Sequence, residues 1–192
     1  YEFASRLCRG TGITVTRLIT ESVSCLHDYS LNVSQVRAAE AAELIVISGA
    51  GLEDFMDDLI HGKATIDSSS GIHLIESGHE HDHGHEETTH EGHHHENDPH
   101  IWLSPENAKA MAHNIYDGLR AQYPVYEETF NANLTALLAD LDKLQAYGEE
   151  QLADLSCREL ITFHDGFAYL ADSFDLTILE AVEEESGSEA SA

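Results

Sequence analysis

Fourteen of the 192 residues are histidine, and eleven of them fall by spacing into two kinds. The first kind is a run: His79, His81, His83, His85, His90, His93, His94 and His95. Imidazole is a borderline-soft donor that suits zinc, copper, nickel and iron(II). Histidines two apart on an extended chain fall on one side, so neighbouring pairs can chelate an ion. The Asp and Glu residues between them add oxygen donors and ease the approach of a dication. Such a run binds weakly and accepts several metals in several geometries. As bare composition it is also a solubilising low-complexity segment.

The second kind is dispersed: His27, His100 and His164. Each stands beside a carboxylate and an aromatic ring. The three strings are His27-Asp28-Tyr29, Asp98-Pro99-His100-Ile101-Trp102 and Phe163-His164-Asp165-Gly166-Phe167. Two of them adjoin predicted strand ends, where open α/β sheets place their ligands. Taken singly, each reads as a satisfied core or surface histidine sooner than as a ligand.

The elements that must position these side chains follow from local pattern. Residues 1–9 read as the end of an amphipathic helix closed by Gly10. Ile13 to Leu18 alternates β-branched residues and predicts a strand. Ser34 can cap a helix through Ala42, followed by a strand over Leu44–Ile47. Ser48-Gly49-Ala50-Gly51 predicts a turn, with a helix beginning near Leu52. The alternation of strand and helix predicts an α/β layer with a parallel sheet. From Glu76 to Asn97 apolar residues vanish, and a segment that buries so little is expected to be a mobile loop. Ser104-Pro105-Glu106 is a helix start, with a cap, a proline at the first position and an acid in the first turn. That helix should reach Gln122, where Tyr123-Pro124 stops it. A longer helix is predicted over 125–155, with Phe130, Leu134, Leu137, Leu138, Leu141, Leu144 and Leu152 as its apolar stripe. Glu159–Phe163 predicts a short strand leading into His164. Phe167, Leu170 and Ala171 share one helix face, and Thr177–Ala181 predicts another strand. The tail 183–192 reads as frayed.

Composition narrows the partners. Lysine and arginine total 9 against 36 aspartates and glutamates, for a formal net charge of −27. A chain this acidic repels nucleic-acid phosphates and anionic lipid surfaces, and attracts cations. With 42% hydrophobic residues it can bury a core, but no stretch is long and apolar enough to span a bilayer. Cys8, Cys25 and Cys157 form no CxxC pair, and each reads as a small buried apolar residue.

The three histidine strings, in this order, resemble the metal-binding substrate-binding proteins of bacterial ABC transporters, the zinc/manganese cluster A-I group. Tyr29–Gln35, Arg37–Glu43 and Leu44–Ile47 resemble that family's stretch after its first ligand. Gly49-Ala50-Gly51-Leu52-Glu53 is similar to its glycine turn, and Asp98-Pro99-His100-Ile101-Trp102-Leu103-Ser104-Pro105 to its most specific motif. Glu189–Ala192 resembles the segment after a strand of its second domain. The resemblance implies two α/β lobes joined by one long helix, with metal bound between them. The expected division is an N-terminal lobe over 1–124 that includes the loop 76–97, a linker helix over 125–155, and an incomplete second lobe over 156–192. The family's first strand and signal segment are absent from the chain, and its fourth, acidic ligand would lie beyond Ala192.

The resemblance also implies that His27, His100 and His164 are the metal ligands. Three imidazoles with one further donor make a tetrahedral zinc site and disfavour magnesium and calcium. Asp28 and Asp165 are candidates to orient the ligand rings from behind. A histidine-rich loop ahead of the Asp-Pro-His motif resembles the zinc-specific members sooner than the manganese members. The implied function is extracytoplasmic capture of Zn2+, in the periplasm or at the cell surface, and its delivery to an ABC permease. The binding protein is expected to be a monomer without enzymatic activity. Alternatives are a zinc buffer or chaperone acting through the loop, a manganese-binding member, and a zinc hydrolase. The hydrolase lacks support because no HExxH motif and no distinct general base stand out.

Overall fold

The computed structural model describes residues 1–21, 29–76 and 97–183. Helix α1 (Glu2–Leu7) ends at a Cys8 cap, earlier than expected, and the turn after it passes through Gly10, whose φ of 80° suits glycine. Asn133 on a later helix donates from Nδ2 to the Leu7 and Arg9 carbonyls, 2.8 Å each, answering groups that the end of α1 leaves open. The strand expected over Ile13 to Leu18 does not form. Ile13 and Val15 pack against the core, but no neighbour among the described residues pairs with their backbone. β-branched alternation supplies a face to bury; a ladder also needs a partner.

Helix α2 (Val33–Ala41) is capped by Asn32, not Ser34. The Asn32 side chain accepts from the Ser34 and Gln35 N–H groups, and the Gln35 side chain accepts from the Asn32 N–H. This reciprocal box wins because Gln35 stands three residues after Asn32.

Strand β1 (Ile45–Ile47) pairs in parallel with β2 (Thr65–Asp67), a strand that sequence pattern did not disclose. Between them the turn forms as expected, with Gly49, Ala50 and Gly51 all at positive φ. The helix expected near Leu52 starts later, as a 3-10 turn over Asp54–Met56 and then α3 (Asp57–Ile60).

Helix α4 (Pro105–Gln122) has its predicted bounds, with Ser104 Oγ accepting from the Asn107 N–H at 3.3 Å. Helix α5 (Glu127–Leu152) follows a 3-10 turn over Pro124–Tyr126. The main core joins Leu7, Ile66, Ala112, Ile115, Phe130 and Leu137 from α1, β2, α4 and α5. Gly118 brings α4 close to the sheet, since a Cβ there would lie 2.4 Å from the Ile66 side chain. The apolar stripe of α5 is buried at Phe130, Leu134, Leu137 and Leu141, but Leu144 is exposed. Cys8 is buried, as expected of a small apolar residue; Cys157 is exposed and departs from that reading.

Beyond α5, strand β3 (Glu159–His164) and strand β4 (Thr177–Glu183) form a second parallel pair around helix α6 (Ala168–Ser173). Phe167 stands at the cap position of α6, so the buried residues of that helix are Tyr169 and Ala171. This unit docks on the end of α5. Phe174 lies so near Gly148 that a Cβ there would be 2.4 Å from its ring, and Arg158 donates to the Leu152, Phe174 and Asp175 carbonyls. A second apolar cluster of Ile101, Met111 and Tyr169 knits α6 to the segment before α4. No described helix is long and apolar enough to cross a membrane.

Candidate metal centre

His164 is the last residue of β3, and His100 lies just before a 3-10 turn over Ile101–Leu103 that leads into α4. Sixty-four residues apart, their Nε2 atoms face each other at 3.1 Å, with ring centroids 4.9 Å apart and planes at 81°. Two imidazole nitrogens bound tetrahedrally to one zinc at about 2.0–2.1 Å stand roughly 3.3 Å apart. The pair is therefore set close to the bite that one ion requires.

The orientation of His100 has a local cause. Asp98 is buried, and its Oδ1 accepts from the His100 backbone N–H at 2.9 Å and pairs with ring Nδ1 at 2.7 Å. An aspartate before a proline favours such a side-chain turn. In the tautomer whose Nδ1–H donates to this carboxylate, His100 presents an Nε2 lone pair. This is the usual arrangement behind a metal-bound imidazole. Two further neighbours confine the ring. Trp102 lies 5.3 Å away, centroid to centroid. Gly166 is buried against it, and a Cβ at 166 would stand 2.8 Å from the ring.

The orienting carboxylate is thus Asp98, two residues before its histidine. Asp165 does not fill that role for His164, whose buried Nδ1 has no hydrogen-bond partner among the described residues. Adjacency along an extended chain sends neighbouring side chains to opposite sides. Asp28 lies outside the described residues, as do His27 and the whole run His79, His81, His83, His85, His90, His93, His94 and His95. Among the described residues no group of three potential ligands is assembled. The remaining described histidines, His61, His73 and His113, are exposed.

Residues on both sides of 22–28, which include His27, are held by one buried side chain. Gln35 donates from Nε2 to the Leu18 carbonyl at 3.3 Å, to Glu21 Oε2 at 3.2 Å and to the Tyr29 hydroxyl at 2.7 Å. The Glu21 carboxyl is held below its usual range by its own backbone N–H and that of Thr20. Pattern could have singled out Gln35 only as half of a capping box.

A cleft of about 490 Å³ lies nearby, lined by His73, Ser104, Glu106, Glu149, Tyr169 and Asp172 among others. It contains neither His100 nor His164, so this cleft and the facing imidazoles do not coincide. Hydrogen-bonding nitrogens at metal bite distance weigh more than open volume for binding a bare ion.

The whole chain, residues 1–192, matches the model of a family described as zinc-uptake complex component A, periplasmic. A zinc-binding lipoprotein, AdcA, from Streptococcus pneumoniae is 32% identical over 180 residues, covering 92% of this chain and 36% of the lipoprotein. The high-affinity zinc uptake system protein ZnuA from Yersinia pestis is 28% identical over 186 residues, covering 88% of this chain and 58% of the relative. The crystal structure of a zinc-bound ZnuA deletion mutant superposes with a TM-score of 0.78 at 29% identity, covering all of this chain and 69% of that one. The chain therefore spans little more than a third of the lipoprotein and just over half of the uptake protein. The fold is the α/β substrate-binding-protein fold of these relatives, with parallel sheets and a long helix.

Proposed function

The chain belongs to the family of periplasmic zinc-uptake complex component A proteins, and on that premise we propose that it captures Zn2+ outside the cytoplasm for an ABC importer. The observation that carries this reading is the His100–His164 pair, with Nε2 atoms 3.1 Å apart and Asp98 behind His100. Zinc is the substrate carried, and no chemistry on it is involved. His27 is the third ligand in this reading, and the run 79–95 is an accessory that raises the local zinc concentration. The long helix α5 joins the lobe over 1–124 to the part over 156–192, and the permease is the partner that receives the ion.

Imidazole donors favour zinc over manganese, whose preferred ligands are carboxylates, carbonyls and water. Capture by imidazole competes with protons, so binding weakens in acid. Calorimetric titration with zinc tests the assignment. One tight site is expected in the chain, retained when residues 78–97 are deleted and lost in His100→Ala. Unchanged affinity in His100→Ala would sink the ligand assignment. Loss of all tight binding on deleting 78–97 would favour a buffer that works through the histidine run. Manganese titrated in parallel should bind more weakly, and the reverse order would make the chain a manganese carrier.

A further inference from the structure

Tyr169 is buried at 3% exposure on α6, five residues after His164, and its hydroxyl meets two backbone groups from distant chain. It donates to the Asp98 carbonyl at 2.9 Å and accepts from the Ile75 N–H at 2.9 Å. Burial, the largest influence, pushes the hydroxyl above the ordinary tyrosine range, so it remains a donor. Asp98 and Ile75 are themselves joined, the Asp98 N–H donating to the Ile75 carbonyl at 2.8 Å. The next residues outward, Glu76 and Asn97, form an antiparallel bridge. One phenolic oxygen therefore binds both chain segments that flank 77–96.

The same oxygen stands at one end of a continuous polar chain. Tyr169 holds the Asp98 backbone, Asp98 holds the His100 ring by its side chain, and the free nitrogen of that ring faces His164. His164 is tied to Tyr169 by only four intervening residues of backbone. Both facing histidines are thus referred to one rigid aromatic side chain, packed with Ile101 and Met111. The segment over 98–103 and the end of β3 belong to different elements, and the Tyr169 hydroxyl is the polar tie between Asp98 and α6 among the described residues.

Resting on the zinc-capture reading above, we propose that Tyr169 is a positioning residue. Its hydroxyl sets the separation of His100 and His164 by anchoring Asp98, and it couples their occupancy to the paired segments at Ile75 and Asp98. Coupling of this kind is reciprocal: an ion that orders His100 also orders the Ile75 amide.

Tyr169→Phe keeps the ring and removes both hydrogen bonds. Zinc affinity is expected to fall about tenfold, the scale seen when partners behind metal ligands are removed. The visible absorption of bound Co2+, which reports tetrahedral geometry, should weaken or shift. Ile101→Val is the control, since it loosens the same apolar cluster without touching the hydroxyl. It should keep the affinity and the Co2+ spectrum of the unmodified chain. Equal losses in both variants, or an unaltered Co2+ spectrum in Tyr169→Phe, would overturn the positioning role. Hydrogen exchange on the unmodified chain needs no variant to fold. Zinc should slow exchange of the Ile75 amide severalfold, and an unchanged rate overturns the coupling. Absence of zinc binding by the unmodified chain would instead defeat the zinc-capture reading itself, and this inference with it.

Discussion

At the carboxyl end of β1 the turn's backbone groups are answered by side chains of the same turn and of the residues after β2; at the carboxyl end of β3 a ring nitrogen is aimed at a histidine from another element. After Ile47 the chain turns through Gly49, and Glu53 reaches back to accept from the Ser48 and Gly49 N–H groups at 2.8 and 2.9 Å. Ser69 Oγ accepts from the Ala50 N–H and donates to Asp67, and Ser68 donates to the Ile47 and Ser48 carbonyls. These groups are consumed in holding the turn. At β3 the outcome differs: His164 Nε2 meets only another Nε2 among the described residues, a contact that either a proton on one ring or a cation shared by both would answer. The two ends share parallel pairing and strand direction. What separates the two ends is that the backbone groups of the β1 turn are answered by nearby side chains, although the buried Ser48 Oγ is not, while at β3 a ring nitrogen is left facing another ring.

The contrast can be broken most directly at the histidines. His164→Ala should weaken zinc binding by about 100-fold or more, roughly 2.7 kcal/mol, with little change in the urea midpoint. A variant that binds normally would put the ion elsewhere. The opposite pattern is expected at β1. Gly49 has a φ of 85°, and an added Cβ would fall 1.9 Å from Asp67 Oδ1. Gly49→Ala should therefore cost about 3 kcal/mol of folding stability from strain and overpacking, measured by urea unfolding. Asp98→Asn tests the intermediate case, where one buried carboxylate both holds a backbone turn and pairs with a candidate ligand ring. Zinc affinity should drop by about tenfold with a smaller change in stability, as titration and unfolding of one preparation would show.

The smallest effect concerns pH. Burial raises the Glu53 carboxyl above its ordinary value, opposed by the two backbone N–H groups and reinforced by Asp67 and Asp54. The folded chain then holds this proton more tightly than the unfolded chain does. Stability from Glu53 is accordingly highest in acid, declines as pH rises from about 4.3 through the raised value, and is level above it. Glu53→Gln should lack that decline when thermal unfolding is compared across the window, while zinc stoichiometry stays unchanged.

Much of the scaffold was legible in sequence because its signals are local. Ser104, Pro105 and the Tyr123-Pro124 break delimit α4 from within a few residues, and the spacing of Phe130, Leu134, Leu137 and Leu141 discloses the buried face of α5. The errors fall where a partner decides. Residues 13–17 have strand character without a neighbour to pair with, and β2 is only three residues long and becomes a strand by lying beside β1.

The site divides the same way. By type and context the sequence alone offered His27, His100 and His164 as candidates, and family resemblance made them a set. An aspartate two residues before His100 was visible as a turn signal, since both groups are on one short stretch of chain. Only the tertiary structure could bring His100 and His164 to 3.1 Å, pack Gly166 on the ring and seat Tyr169 between Ile75 and Asp98. Those contacts join segments 64 to 94 residues apart. They arise from docking of α6 and β3 against the start of α4, a global packing event that short-range spacing does not encode.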